Sequence, residues 1–422
     1  MLPVLTPDEM RAVDAAAPEA FEVLVERAGA AVARSALRML GGGYGRRVVV
    51  VAGPGNNGAD GRVAARRLSA RGVRVAVVEP GAELPSCDLV IDAAYGTGFR
   101  GEYKAPHPHG APVLAVDVPS GDVVADATVT FAALKPSLLF GEAAGVVEVV
   151  DIGLDVSGAR MWLVEDDDVR SALPRPPRET HKWKTAVLVV GGSPGMVGAP
   201  TMAARAAMRA GAGYVRLAVP GDLPVGGEAV AVPLPHRNWA SLAERCRAVI
   251  VGPGLGRDDR VRQEVNALLS AVDVPVVVDA DGLNVLDVSV VKSRTASTVL
   301  TPHEGEYERL AGRPVGDDRV EAARSLASAA GAVVLLKGST TVVAGPDGKV
   351  LLSATGGPQL ATAGTGDVLA GVVGAFLAQG MAAVEGAAFA AHVHGVASRL
   401  GFRRGLVAGD LPDLVAAWLS DG

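Results

Sequence analysis

The sequence lacks most of the features that would announce a partner or a compartment. Its two cysteines, Cys87 and Cys246, lie far apart and outside any CxxC or Cys/His spacing, which excludes a zinc module and a disulfide framework. No block of Lys or Arg occurs and the net charge is −6, so a nucleic-acid-binding face is not indicated. The arginines at 66, 67, 71 and 74 gather around one predicted helix and read as its solvated face. No charged-then-apolar leader opens the chain and no apolar run reaches spanning length, so a cytoplasmic protein without a membrane partner is expected. There is no Walker A lysine, no GxGxxG in a dinucleotide-binding context and no kinase Asp-Phe-Gly. Any phosphate chemistry must therefore use another device.

What is present is core material. Hydrophobic residues make up 49 % of 422 residues and charged ones 20 %, enough for two large cores and too apolar for extended disorder. Thr6-Pro-Asp-Glu9 is a helix start with a capping box, and helices are predicted near 6–16 and 21–40. The continuous apolar run 47–52 then enters Gly53-Pro-Gly-Asn-Asn-Gly-Ala-Asp60, as a strand buried on both faces would. Runs at 73–78, 89–93, 113–118, 128–131 and 146–152 repeat the strand signature, so a doubly wound α/β layer is predicted with ligands at the carboxyl ends of its strands. Three of those ends carry polar groups: Asn56-Asn57-Gly58-Ala59-Asp60, Asp92-Ala-Ala-Tyr-Gly-Thr-Gly98 and Asp117-Val-Pro-Ser120. Convergent carboxylate, amide and hydroxyl oxygens suit a hard cation or a polyhydroxyl ligand.

In this order the three motifs resemble the NAD(P)H-hydrate epimerase domain of the YjeF N-terminal family. The resemblance implies that Asn56, Asn57, Gly58, Ala59 and Asp60 hold the substrate phosphates and ribose. It implies further substrate contacts from Gly96, Thr97, Gly98, Phe99, Arg100, Gly101, Glu102 and Asp117, and K+ bound by Asn57, Asp92 and Ser120. Asp117 is the implied general acid/base, with Lys135 a second candidate. The chain departs from the family pattern at Ala59, which stands for a glycine. It departs again at Phe99–Pro112, which is short, holds Pro106, Pro108 and Pro112, and is not expected to be helical.

The acidic run Glu165–Asp168 reads as solvated chain or helix N-terminal charge, and the prolines of 173–178 as extended connecting chain. The expected domains are 1–168 and 169–422. In the second, the strand-like runs 185–190, 248–251, 276–281, 299–301 and 333–336 alternate with predicted helices near 199–210, 258–270, 317–330 and 384–400. Gly364-Thr365-Gly366-Asp367 precedes a strongly apolar helix. A helix starting there offers free N–H groups and its positive dipole end to an anion, with Asp367 placed to take a proton. His392 and His394, two apart on a helix, face different ways and are not expected to share a metal.

With His181-Lys182, Gly191-Gly-Ser193, Gly252-Pro-Gly-Leu-Gly256, Thr301-Pro-His303 and Lys337-Gly338, this loop resembles the ADP-dependent NAD(P)H-hydrate dehydratases of ribokinase-like fold. The resemblance implies a nucleotide held by Lys337, Gly338, Ser339, Thr340 and Thr341 and by Gly364, Thr365 and Gly366. The hydrated dinucleotide would meet Ala199, Gly254, His303 and Asp367, with Asp367 catalytic. The whole chain is then expected to be two αβα three-layer domains, N-terminal Rossmann-like and C-terminal ribokinase-like. Its expected activity is epimerisation of R/S NADHX and NADPHX and ADP-dependent dehydration of the S epimer, with ADP, Mg2+ and K+ as cofactors and a homo-oligomer as the assembly. Two alternatives stay open: a dehydratase whose first domain is only a binding or dimerising module, and a ribokinase-type small-molecule kinase.

Overall fold

The computed structural model describes residues 1–175, 178–221, 227–234 and 238–421. The chain divides into two compact units, Leu2–Arg160 and Met161–Gly422.

The N-terminal unit runs β1 (Leu2–Val4), α1 (Pro7–Ala16), α2 (Phe21–Leu40), β2 (Arg47–Ala52), α3 (Asn56–Ser69), β3 (Arg74–Val78), β4 (Leu89–Ala93), β5 (Val113–Val116), β6 (Ala127–Phe131) and β7 (Val146–Val150). Its sheet has the order β3-β2-β4-β5-β6-β7 with every neighbour parallel. β4 and β5 are buried along their whole length, as the apolar sequence of β5 requires and that of β4 does apart from Asp92. Alternate residues point to opposite faces, so Val48, Val50 and Ala52 pack under α1–α3 while Val49 and Val51 join a second core. That second core is closed by Leu84, Val123, Tyr95 and Tyr103 from connecting chain. Irregular chain stands there where a Rossmann-like domain carries helices, and the prolines of 99–112 are the physical reason.

The C-terminal unit runs β8 (Met161–Leu163), α4 (Asp166–Ala172), β9 (Ala186–Val190), α5 (Gly198–Arg209), β10 (Tyr214–Pro220), β11 (Val230–Leu234), α6 (Trp239–Ala243), β12 (Ala248–Val251), α7 (Asp259–Ala271), β13 (Val276–Val278), α8 (Asp281–Val285), α9 (Val288–Lys292), β14 (Thr298–Leu300), α10 (Glu304–Ala311), α11 (Arg319–Ala330), β15 (Val333–Leu336), β16 (Thr341–Ala344), β17 (Val350–Ser353), α12 (Thr365–Ala378), α13 (Ala383–Leu400) and α14 (Leu411–Ser420). Within the unit the strand order is β8-β17-β16-β15-β14-β13-β12-β9-β10-β11. Pairing is parallel except at β15–β16 and β16–β17. The sequence places the boundary after residue 168, but Met161–Leu163 pairs with β17, so the unit begins earlier. The acidic run is a helix start: Glu165 caps α4 and shares a capping box with Asp168. Pro176 and Pro177 of the proline cluster lie outside the described residues.

α12 is almost wholly buried, from Val368 to Ala378. It lies against α5, whose Ala203, Ala204, Ala206 and Ala207 share its core. A Cβ on Gly371 would come within 2.3 Å of the Ala203 carbonyl oxygen, so glycine is what allows this approach. The close contact fixes the N-terminus of α12 beside that of α5, where Ala199 sits.

Candidate active sites

In the C-terminal unit, Gly364 caps α12 at φ +93°, and a side chain there would also press on Met202 and Ala408. Thr365 donates its hydroxyl to the carbonyls of Leu360 and Thr362, at 2.8 and 3.0 Å, which ties the glycine loop to the helix. The free N–H groups of the first turn open beside Asp367. Burial pushes the Asp367 carboxyl up to about 7, the Asp279 carboxylate adds to this, and the Lys337 ammonium opposes it. A carboxyl titrating near neutrality is suited to taking and releasing a proton there.

Lys337 ends β15 and reaches back into this group. Its Nζ donates to Asp279 Oδ1 at 2.8 Å and lies 3.9 Å from Glu306 Oε2. It also stands 3.4 Å from where a Cβ on Gly366 would be, over the start of α12. Burial works against its charge, but the Asp279 and Glu306 carboxylates hold its pKa above the ordinary lysine value. Asp279 is 1 % exposed and also accepts from the Thr301 hydroxyl at 2.7 Å. Ala280 follows at φ +50°, a strained conformation for a residue with a Cβ, and starts α8 with Asp281. Asp281 accepts from Arg257 Nε at 2.8 Å and from the Gly256 N–H at 3.0 Å.

His303 caps α10 instead of standing free: its Nδ1 accepts from the Gly305 and Glu306 N–H groups. The ring proton is thereby set on Nε2, 3.5 Å from Glu306 Oε1, on a side chain that is itself exposed. The capping box returns through Glu306, whose carboxylate accepts the His303 N–H at 2.9 Å. Gly254 adjoins Ala199, and its carbonyl accepts from the Ser193 hydroxyl at 2.8 Å. Arg319 and Thr341 bond the carbonyls of Lys337 and Gly338, which fixes the turn that also carries Ser339 and Thr340. His392 pairs with Asp166 through Nε2, while His394 is buried and pushed down to about 4 by burial, hence neutral. Among the described residues no group of three or more His, Cys, Asp or Glu side chains could hold a metal.

The N-terminal unit carries the second site, a cavity of about 660 Å³ at the ends of β2, β4 and β5. Asn56, Asn57, Asp60, Gly96, Thr97, Gly98, Phe99, Asp117 and Lys135 all line it. Asn57 donates its amide to the carbonyls of Val116 at 2.6 Å and Tyr95 at 3.2 Å. Asp92 accepts the N–H groups of Ser120 at 2.8 Å and Ala94 at 3.3 Å, and burial raises its pKa. Ser120 exchanges two 2.9 Å bonds with the Tyr95 backbone. Gly58 and Ala59 lie in the first turn of α3, and Arg100, Gly101 and Glu102 follow Phe99 on the irregular segment.

Asp117 takes φ +65°, which only a tightly held non-glycine residue does. Its Oδ1 accepts from Lys135 Nζ at 2.5 Å and from the Thr130 hydroxyl at 3.0 Å. Lys135 is 1 % exposed and also donates to Thr130 Oγ1 and the Phe131 carbonyl. The sequence reading missed Asp14, Asp279 and Asp281. Asp14 lines the same cavity from α1, and burial raises its pKa, against the pull of Lys135. The available signal was its spacing from Met10, which puts both on one face of α1.

The C-terminal fold and site define a ribokinase-like α/β enzyme, joined here to a Rossmann-like unit with a polar cavity. Comparison with known proteins agrees. Residues 187–419 match the family described as NAD(P)H-hydrate dehydratase, and residues 21–86 match the YjeF-related protein N-terminus. The chain is 37 % identical to the bifunctional NAD(P)H-hydrate repair enzyme Nnr of Salinibacter ruber, over 98 % of this chain and 95 % of that one. It is 39 % identical to the enzyme of the same name from Mycobacterium tuberculosis, over 85 % and 84 %. Among solved structures it is similar to the ADP/ATP-dependent NAD(P)H-hydrate dehydratase of Bacillus subtilis, co-crystallised with ATP/Mg2+. That likeness has 31 % identity and a TM-score of 0.54, covering 61 % of this chain and 97 % of that one. A ribokinase-like superfamily protein from Enterococcus faecalis shares the fold at TM-score 0.55 and 22 % identity. The chain belongs to the bifunctional NAD(P)H-hydrate repair enzymes.

Proposed function

We propose that residues 1–160 epimerise hydrated NADH and NADPH and that residues 161–422 dehydrate the S epimer with ADP, releasing AMP and phosphate. The observation that carries the second half is Asp367 at the α12 N-terminus with Lys337 above it. A ring hydroxyl leaves poorly as hydroxide. Asp367 takes its proton while its oxygen attacks the β-phosphate of ADP, and AMP departs. The α12 N–H groups and Lys337 stabilise the charge that develops on the phosphoryl oxygens. The phosphorylated ring then expels phosphate, pushed by the ring nitrogen, and the adjoining carbon loses a proton. Lys337 to Thr341 and Gly364 to Gly366 hold the nucleotide; Ala199, Gly254 and the Nε2–H of His303 face the dinucleotide. A diphosphate donor brings Mg2+, which adds charge compensation there.

In the first domain Asp117 serves as the acid/base, held by Lys135 and Thr130. Asp92 is buried without a cationic partner among the described residues and accepts the Ser120 N–H, while the Ser120 hydroxyl and the Asn57 amide are both bonded to the Tyr95 backbone. That donor set fits K+, held by Asn57, Asp92 and Ser120, which would offset the Asp92 charge. One assay tests both halves: a mixture of R and S hydrated NADH is supplied with ADP, and NADH absorbance is followed. Complete conversion is expected. Conversion that stalls once the S epimer is consumed removes the epimerase half, and absence of NADH removes the dehydratase half.

A further inference from the structure

The N-terminal cavity is lined by the carboxyls of Asp14, Glu19, Asp60 and Asp117, more than a single acid/base requires, and Asp60 is set apart from the others. Asp60 is 6 % exposed on the second turn of α3, lines the cavity, and its carboxyl has no hydrogen-bond partner among the described residues. A carboxylate this deep is poorly placed to meet phosphates, which would repel it. Asp117 is its opposite. Its Oδ1 is saturated by the Lys135 ammonium and the Thr130 hydroxyl, and its Oδ2 is left unpartnered on the cavity wall.

We infer that Asp60 is the proton donor of the epimerase site, working with Asp117 Oδ2 as the acceptor, an inference that rests on the epimerase reading of this domain. The surroundings divide the roles. Burial, then the Asp117 and Asp14 charges, push the Asp60 carboxyl up to about 8, so it carries a proton at neutral pH. Asp117 has Lys135 as a direct ion-pair partner at 2.5 Å, which Asp60 lacks. A carboxyl buried without a cation and a second one paired with a lysine are the ordinary way for one site to offer both an acid and a base.

The substrate fits that pair. Hydration of an enamine puts the hydroxyl on the carbon next to nitrogen, so the stereocentre is a carbinolamine. Its O–H proton passes to Asp117 Oδ2 as the O–H electrons form C=O. The ring C–N bond breaks with its pair going to nitrogen, which takes the Asp60 proton. Rotation about the adjoining C–C bond presents the other face of the aldehyde. Closure then runs backwards: nitrogen attacks the carbonyl carbon and returns its proton to Asp60, while Asp117 returns its proton to the oxygen. Both groups end as they began, and no water or oxidant enters.

Asp14 has a supporting part, which α1 fixes. The Thr6–Glu9 capping box sets the start of this helix, and Pro7, Met10, Arg11 and Asp14 repeat at three- and four-residue spacing along the cavity wall. The charged groups on that wall are thus Asp14, Arg11, Glu19, Asp117 and Lys135, and of these Asp117 and Asp14 act on Asp60.

The test uses the full chain and the R epimer of hydrated NADH without ADP, following the appearance of the S epimer above the uncatalysed rate. Asp60→Asn is expected to lower kcat by about 100-fold or more with KM little changed. Its ADP-dependent turnover of the S epimer should remain, which reports a folded C-terminal unit, and an unchanged KM for epimerisation together with a wild-type melting transition of the first unit reports that the N-terminal unit is folded. Asp14→Asn should move the alkaline limb of the kcat profile to lower pH, because a negative charge beside the acid is gone. Oxygen-18 in the substrate hydroxyl should be retained in the product. A near wild-type kcat for Asp60→Asn, an unmoved limb, or loss of the label to solvent overturns the inference. No epimerisation by the wild type overturns the reading of the domain and the inference with it.

Discussion

The position of Asp367 is costly for the fold, and the cost can be measured. Its carboxyl rises from an ordinary value of 3.8 to about 7, first by burial and then by Asp279, with Asp281 and Glu306 adding and Lys337 opposing. At about 1.4 kcal/mol per pH unit this corresponds to at most about 4 kcal/mol of penalty on the ionised form. Partial access to solvent reduces it to about 2 kcal/mol. The folded carboxyl binds a proton more tightly than the unfolded one, so the stabilisation is complete below pH 3.8 and is lost as pH rises to about 7. Asp367→Asn removes the penalty. The variant should match the wild type near pH 4, gain on it as pH rises, and level off above pH 7 with an advantage of about 2 kcal/mol. For a domain of this size that is a rise of about 4–8 °C in the melting temperature of the C-terminal transition. The same variant should lose dehydration, with kcat falling and nucleotide affinity kept. Calorimetry at pH 5.5, 6.5, 7.5 and 8.5 reads the first effect and NADH absorbance the second. A stabilisation equal at all four pH values, or none, would refute the electrostatic account, and near-normal turnover would refute the catalytic one.

Two further substitutions probe the same site. Gly364→Ala puts a side chain at φ +93° and within 2.5 Å of the Met202 methyl carbon, so a loss of about 1–3 kcal/mol and weaker ADP binding are expected; denaturant unfolding and nucleotide titration check them. Lys337→Met strands the buried Asp279 charge, and breaking such a pair costs about 3–5 kcal/mol. Adding Asp279→Asn should restore most of that stability but not turnover, a double-mutant cycle that an independent role for either residue would not reproduce.

Much of this was legible in the chain. Continuous valine runs such as 48–51 give buried parallel strands, and Asn, Asp and Gly immediately after them give the ligand loops. The Thr6 capping box and the glycine start of α12 also lie where the sequence puts them. What escaped depends on contacts between distant segments. Met161–Leu163 looks like the end of one domain until β17 pairs with it. Asp14 looks like a solvated helix residue until α1 docks on the cavity. Asp279 is an ordinary strand-end acid until Lys337 arrives from β15. The match to the YjeF-related N-terminus ends at residue 86, before the irregular segment that replaces helices on one face of the first sheet.

The antiparallel ribbon β15–β16–β17 is the most local part of the C-terminal sheet. Its strands are neighbours in sequence, whereas the parallel pairs around it each require a longer excursion of the chain. Short loops close at lower entropic cost, so the ribbon and its Lys337–Thr341 turn are held by local pairings that need neither β13 nor α12. The turn that carries the nucleotide loop is thus built from local pairings, whereas the burial of its lysine depends on segments far away in the chain.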